Sequence, residues 1–205
     1  MFEIILENTG KRFNKEWIFK DLHYVFKSNN FYAIEGANGS GKSTLLQIIA
    51  GSMLASNGNV KYKTNSTEIA SEKVYHHVAI AAPYIEVIEE MTANEFLHFH
   101  HSFKQLVLPV PEILQIIALE KAANKQIRYF SSGMKQRIKL AQAFFSNTPV
   151  LLLDEPCTNF DAAGFNLYEN LLTNYCSNKL VIICSNDENE IKQCHYRLNM
   201  LNFKT

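Results

Sequence analysis

Residues 36–44, Gly-Ala-Asn-Gly-Ser-Gly-Lys-Ser-Thr, have the spacing G-x-x-x-x-G-K-[ST], which suits a loop that holds phosphate groups. Gly36, Gly39 and Gly41 let the backbone curl so that the N–H groups from Ala37 to Thr44 point inward. A helix starting there adds partial positive charge. Lys42 then reaches β- and γ-phosphates, and Ser43 offers a hydroxyl to Mg²⁺, with Asn38, Ser40 and Thr44 completing the loop. A second signal is the apolar run Val150-Leu151-Leu152-Leu153, which ends in Asp154-Glu155. Such a strand puts two carboxylates at a sheet's carboxyl edge, where ligands of open α/β sheets sit. Asp154 is expected to hold Mg²⁺, directly or through water, and Glu155 to orient or deprotonate an attacking water. The ligand these residues imply is a nucleoside triphosphate with Mg²⁺.

The elements that position these groups follow from patterning. Phe31-Tyr32-Ala33-Ile34 reads as a buried strand before the loop, and Leu45 to Ala50 as the helix after it, closed by Gly51. Residues 2–8 and 17–26 read as strands joined by a turn at residues 10–14. Residues 58–62 and 78–81 read as two more. Thr92 with Glu95 forms a capping box that opens a helix through His101, and Pro111 starts another through Ile117. Helices over 132–146, 161–176 and 187–194 alternate with strands at 150–153, 180–184 and 196–203. This α/β alternation with continuous apolar strands implies a mostly parallel sheet covered on both faces. Residues 83–130 contain no convincing strand and read as a small helical subdomain inserted into a single domain spanning 1–205.

A third signal narrows the class. Phe130-Ser131-Ser132-Gly133-Met134-Lys135-Gln136-Arg137 precedes Asp154 and opens a helix. It resembles the signature L-S-G-G-Q-x-x-R of ABC ATPases, and the phosphate loop, Asp154-Glu155 and Asp161 follow that family's order and spacing. The resemblance covers essentially the whole chain. It implies a P-loop NTPase with a RecA-like core, an N-terminal antiparallel β portion and ATP as the nucleotide. Ser131, Ser132 and Gly133 at a helix N-terminus make an anion site. In the family that site closes on the γ-phosphate bound by a second subunit. The resemblance thus implies a head-to-tail dimer, homo- or heteromeric, around two Mg-ATP, with Asp161 coupling the sites. Phe13 stands where the family stacks an aromatic on adenine, with Trp17 as the alternative.

Two positions depart from the pattern. The family's glutamine before the helical subdomain is replaced by Pro83, which offers neither metal ligand nor amide donor. The family's histidine after the last buried strand is replaced by Asn186, which can donate to phosphate but can neither carry positive charge nor shuttle a proton. Hydrolysis is expected to persist through Glu155 but to be slow.

Composition bounds the rest. Hydrophobic residues make up 47% and charged residues 20%, while 20 basic side chains balance 20 acidic ones. That neutrality argues against a nucleic-acid partner. Cys157, Cys176, Cys184 and Cys194 form no C-x-x-C pair, and the histidines at 76–77, 98 and 100–101 lack a third ligand, so no zinc site is indicated. The chain shows neither a leader nor a membrane span, which reads as cytoplasmic and peripheral to the membrane through a partner. The expected function is ATP hydrolysis driving an integral membrane permease, of export or ABC-2 type. Residues 84–91 read either as the permease's docking stretch or as a loop packed on its own subdomain. The alternatives are an ABC ATPase acting on nucleic acid or ribosomes, and an ATP-dependent dimerisation switch with weak hydrolysis.

Overall fold

The computed structural model describes residues 1–204. In chain order the elements are β1 (Phe2–Phe13), β2 (Glu16–Lys27), β3 (Phe31–Glu35), α1 (Lys42–Ile49), β4 (Asn57–Thr64), β5 (Thr67–Ile69) and β6 (Val78–Ala81). Then come α2 (Ala93–Phe103), α3 (Val110–Ile116), α4 (Ser132–Phe144), β7 (Val150–Asp154), α5 (Ala162–Tyr175), β8 (Leu180–Cys184), α6 (Glu188–Ile191) and β9 (Tyr196–Asn199). They divide into two compact units, with Met1–Ile80, Pro149–Asp154 and the chain from Asn178 onward in the first, and Ala81–Thr148 with Glu155–Ser177 in the second. The fold is the P-loop, RecA-like one, with an antiparallel N-terminal sheet, a mostly parallel core sheet and a helical subdomain.

The first unit holds both sheets up to Ile80 of β6. Strands β2-β1-β4-β5 form a four-stranded sheet, antiparallel at every pairing, and β6-β7-β8-β3-β9 form a five-stranded one. In the latter, β3 runs parallel to β8 and β9, and β7 parallel to β8. Every residue of β7 and β8 is buried, as expected of central strands covered on both faces. One apolar core joins the two sheets: Ile4, Leu6, Phe19 and Phe26 pack in the same cluster as Ile34, Leu46, Leu152 and Ile182.

Three expectations need correction here. Residues 10–14 are no turn: β1 runs on to Phe13, and Phe13 pairs with Glu16 across a two-residue connection with Asn14 at φ 54°. Register shifts between Leu6 and Arg12 let the strand continue through polar residues that imitate a loop. The expected terminal strand stops at Asn199, whose side chain caps a 3₁₀ turn over Met200–Phe203. That turn sinks Met200 into the core. The helix expected over 187–194 is a single turn, Glu188–Ile191.

The second unit is helical. Thr92 and Glu95 form the capping box in both directions, with Glu95 N–H on Thr92 Oγ1 at 3.2 Å and Thr92 N–H on Glu95 Oε2 at 2.8 Å. Further along α2, His100 Nε2 lies 2.8 Å from Ser146 Oγ, whose own proton goes to the Gln142 carbonyl at 2.5 Å. The imidazole is therefore the donor, in its neutral Nε2–H form. Burial first, then the Lys104 ammonium, pushes its pKa down to about 4. Between that value and the ordinary 6.5 the unfolded chain binds more protons, so this contribution is complete above pH 6.5 and is lost as pH falls toward 4. We expect urea unfolding at pH 5 to show about 1 kcal/mol less stability than at pH 7, after allowance for partial exposure. His100→Gln should lose that pH dependence; an identical pH profile in the two proteins would refute the assignment.

Candidate functional site

Strand register builds the site in the first unit. Cys184 of β8 lies opposite Ile34 of β3 on one side and Asp154 of β7 on the other. The three strands therefore end level, and Gly36, Asp154 and Asn186 leave the sheet along one carboxyl edge. The Ser185 N–H on the Ile34 carbonyl, at 3.3 Å, extends that alignment one residue further.

The loop from Gly36 is tightly built. Gly36, Gly39 and Gly41 have φ of 147°, 78° and 97°, values that glycine adopts at little cost. A Cβ at Gly36 would stand 2.6 Å from Ser40 Oγ, and one at Gly41 2.6 Å from Ile18 Cγ2 of β2. Lys42 is buried, and its ammonium donates to the carbonyls of Gly36 at 2.5 Å and Ala37 at 3.5 Å. Asn186 Oδ1 accepts the Gly36 N–H at 3.2 Å, so this departure from the family pattern braces the loop's first glycine.

Three observations fit this loop to a polyphosphate. No side chain caps the N-terminus of α1, and its first turn holds no acid, so its N–H groups and dipole remain for an anion. Ser40 Oγ is buried without a hydrogen-bond partner among the described residues. The one side-chain cation in the loop, Lys42, is held by carbonyls that a phosphate can replace. Ser43, in the first turn of α1, and Asp154, the last residue of β7, carry a hydroxyl and a carboxylate, the kind of hard oxygen donor that suits Mg²⁺. Phe13 is half exposed, and the Lys11 ammonium lies 5.2 Å from its ring centre. Trp17, the alternative, carries the Arg12 guanidinium at 5.6 Å.

The second unit presents the signature residues. Ser131 caps α4, its Oγ accepting the Met134 N–H at 3.3 Å, and no acid lies in the first turn. Ser131, Ser132 and Gly133 line a cavity of about 330 Å³ with Arg137, Asn159 and Asp161. Asp161 also has a local task, since its Oδ1 accepts the Gly164 N–H at 2.8 Å and caps α5. Glu155 is exposed, with φ 45°, a left-handed conformation that carries strain in a non-glycine residue.

Residues 83–91 pack on their own unit. The Pro83 carbonyl accepts Lys139 Nζ at 3.4 Å, Glu89 pairs with Lys135 at 2.5 Å, and Glu90 with Arg128 at 3.2 Å. Tyr84 and Glu86 remain exposed. Two contributors were invisible in the motifs. Met200 lies 3.2 Å from the Cβ position of Gly36, and only the unforeseen 3₁₀ turn brings it there. Gln136, inside the signature string, donates to the Pro156 carbonyl at 2.7 Å.

Residues 19–158 match the protein family described as ABC transporter. The chain is 32% identical over 155 residues to the cytochrome c biogenesis ATP-binding export protein CcmA of Xylella fastidiosa, covering 74% of this chain and 69% of that one. It is also 32% identical over 165 residues to the ABC transporter ATP-binding protein YxlF of Bacillus subtilis, covering 78% and 54%. Among solved structures, the dimeric bacterial ABC transporter cassette MJ0796 superposes with a TM-score of 0.81 at 22% identity, covering 96% of this chain and 94% of that one. The same cassette in a post-hydrolysis state, bound to ADP and Pi, gives 0.80 at the same identity.

Proposed function

The chain belongs to the ABC transporter family, and on that premise we propose that it is an ATP-hydrolysing subunit that pairs with a second such subunit around two Mg-ATP and drives a membrane permease. The observation that carries this reading is the alignment at one sheet edge of an uncapped helix N-terminus, the glycine loop and Asp154. In this reading the chain is a single ATPase domain. The export assignment is supported by the CcmA relative, itself named an ATP-binding export protein. No helix among the described residues is long and apolar enough to cross a membrane.

The residues divide the work as follows. The loop N–H groups from Ala37 to Thr44 and the α1 dipole bind the phosphates. Lys42 exchanges the Gly36 and Ala37 carbonyls for phosphate oxygens, which places its charge where negative charge grows during transfer. Ser43 and Asp154 would hold Mg²⁺, which would neutralise phosphate charge. Phe13 stacks on the base. Glu155 takes a proton from the attacking water. Ser131, Ser132 and Gly133 receive the γ-phosphate of the second subunit's nucleotide, and Asp161 lies at that contact. Asn186 spends its carbonyl oxygen on Gly36 and keeps only amide hydrogens for a phosphate. It shuttles no proton, which favours slow turnover and keeps the dimerisation switch as the second reading.

Affinity capture of a tagged Glu155→Gln variant from detergent-solubilised native membranes with Mg-ATP tests the partner. A polytopic membrane protein should be retained with ATP and lost without it. Recovery of only ribosomes, RNA or soluble protein would overturn the transporter reading.

A further inference from the structure

Glu155 sits on a backbone that needs support. Its φ of 45° is held at the start of a chain of tight turns. The Glu155 carbonyl accepts both the Thr158 N–H at 3.2 Å and the Thr158 hydroxyl at 3.0 Å. Phe160 N–H then bonds the Cys157 carbonyl at 2.9 Å, Asn159 is again left-handed at φ 67°, and Asp161 caps α5. These bonds are local, and local turns fix a segment's shape without fixing its aim. The Gln136 side chain supplies a bond of different origin. From the second turn of α4, its amide nitrogen donates to the carbonyl of Pro156, the residue after Glu155, at 2.7 Å. That carbonyl belongs to the peptide plane immediately beyond Pro156, whose ring restricts rotation between the bond and Glu155.

We propose that Gln136 is a positioning residue for Glu155, fixing the general base to the signature helix so that the two turn as one body. The inference rests on Glu155 being the base. The γ-phosphate-sensing end of α4, at Ser131–Gly133, and the group that activates water are then joined through a single side chain. Engagement of the signature by a second subunit's nucleotide is thereby transmitted to the base. The strained φ persists because Gln136 restrains it from outside its own turn.

The test uses the full chain with two substitutions. Gln136→Glu keeps the shape and loses the donor when ionised, and regains an O–H donor when protonated. We expect its kcat to fall about tenfold at pH 8 with KM for ATP nearly unchanged, and the deficit against wild type to shrink as pH is lowered toward about 4.5, where a glutamate side chain takes up its proton. Gln136→Met removes the donor at every pH, so its deficit should not shrink. Equal pH profiles for the two variants, or a rise in KM without a fall in kcat, would overturn the proposal. A readout independent of turnover is backbone hydrogen exchange: Gln136→Met should speed exchange in residues 155–161 while leaving α1 and β3 unchanged. Unaltered exchange there would sink the inference even if activity fell. If Glu155→Gln hydrolyses ATP as fast as wild type while Gln136→Met speeds exchange in residues 155–161, the tether stands and the assignment of the base fails.

Discussion

Glu155→Gln should lower steady-state ATP turnover by about 10²–10³-fold while Mg-ATP affinity stays within about threefold of wild type. The substitution is nearly isosteric and replaces a carboxylate by an amide that cannot accept a proton. Glu155 is exposed, so no buried charge is lost and folding has little reason to change. Its backbone at φ 45° imposes the same strain on Gln as on Glu, so the variant isolates chemistry from conformation. Glu155→Gly provides the complementary case. It removes the carboxylate and also the left-handed penalty, which is roughly 1 kcal/mol. That protein should be as inactive as Glu155→Gln but slightly more stable, or more mobile over residues 155–161. Single-turnover hydrolysis with excess protein, beside equilibrium binding of a fluorescent ATP analogue, separates the two effects. Unchanged hydrolysis in Glu155→Gln would remove Glu155 from the chemistry. With ATP-dependent dimerisation intact, it would leave the slow switch as the better reading.

How much of this was legible in the sequence depended on the range of the interaction. The core strands β3, β7 and β8 announce themselves because strands buried on both faces must be apolar throughout, and Leu151 to Leu153 and Leu180 to Ile183 are. The capping box at Thr92 and the Gly51 terminus at φ 73° were readable because both depend on contacts within a few residues. β1 was misjudged for the opposite reason. Gly10-Lys11-Arg12 has turn composition, and what makes it strand is pairing with β2 and β4, including a Gly10 packed against Trp17 and Lys20. Non-local pairing outweighs propensity there. The same limit hid Met200, since nothing near residue 200 records a phosphate loop lying far away in sequence. Gln136 was hidden differently: its partner is a backbone carbonyl, and carbonyls leave no trace in residue identity.

Lys42→Met should weaken Mg-ATP binding on the order of 100-fold, about 2.7 kcal/mol, while the stability of the nucleotide-free protein changes by no more than about 1–2 kcal/mol. The two numbers differ because Lys42 has different partners in the two states. Within the chain, its ammonium is buried and donates to the carbonyls of Gly36 and Ala37. Removing it costs those bonds but also removes the desolvation of a charge, and the terms largely offset. With ATP, the ammonium has phosphate oxygens to meet, a charge-assisted interaction that methionine cannot replace. Methionine fills nearly the same volume, so the glycine loop, which tolerates no new Cβ at Gly36 or Gly41, keeps its shape. Isothermal titration with Mg-ATP and urea unfolding of the nucleotide-free variant measure the two quantities. Retained affinity would show that the loop N–H groups and α1 hold the phosphates without the lysine. A large loss of stability in the nucleotide-free variant would instead make Lys42 a structural clamp of the loop, with nucleotide binding lost as a consequence of unfolding.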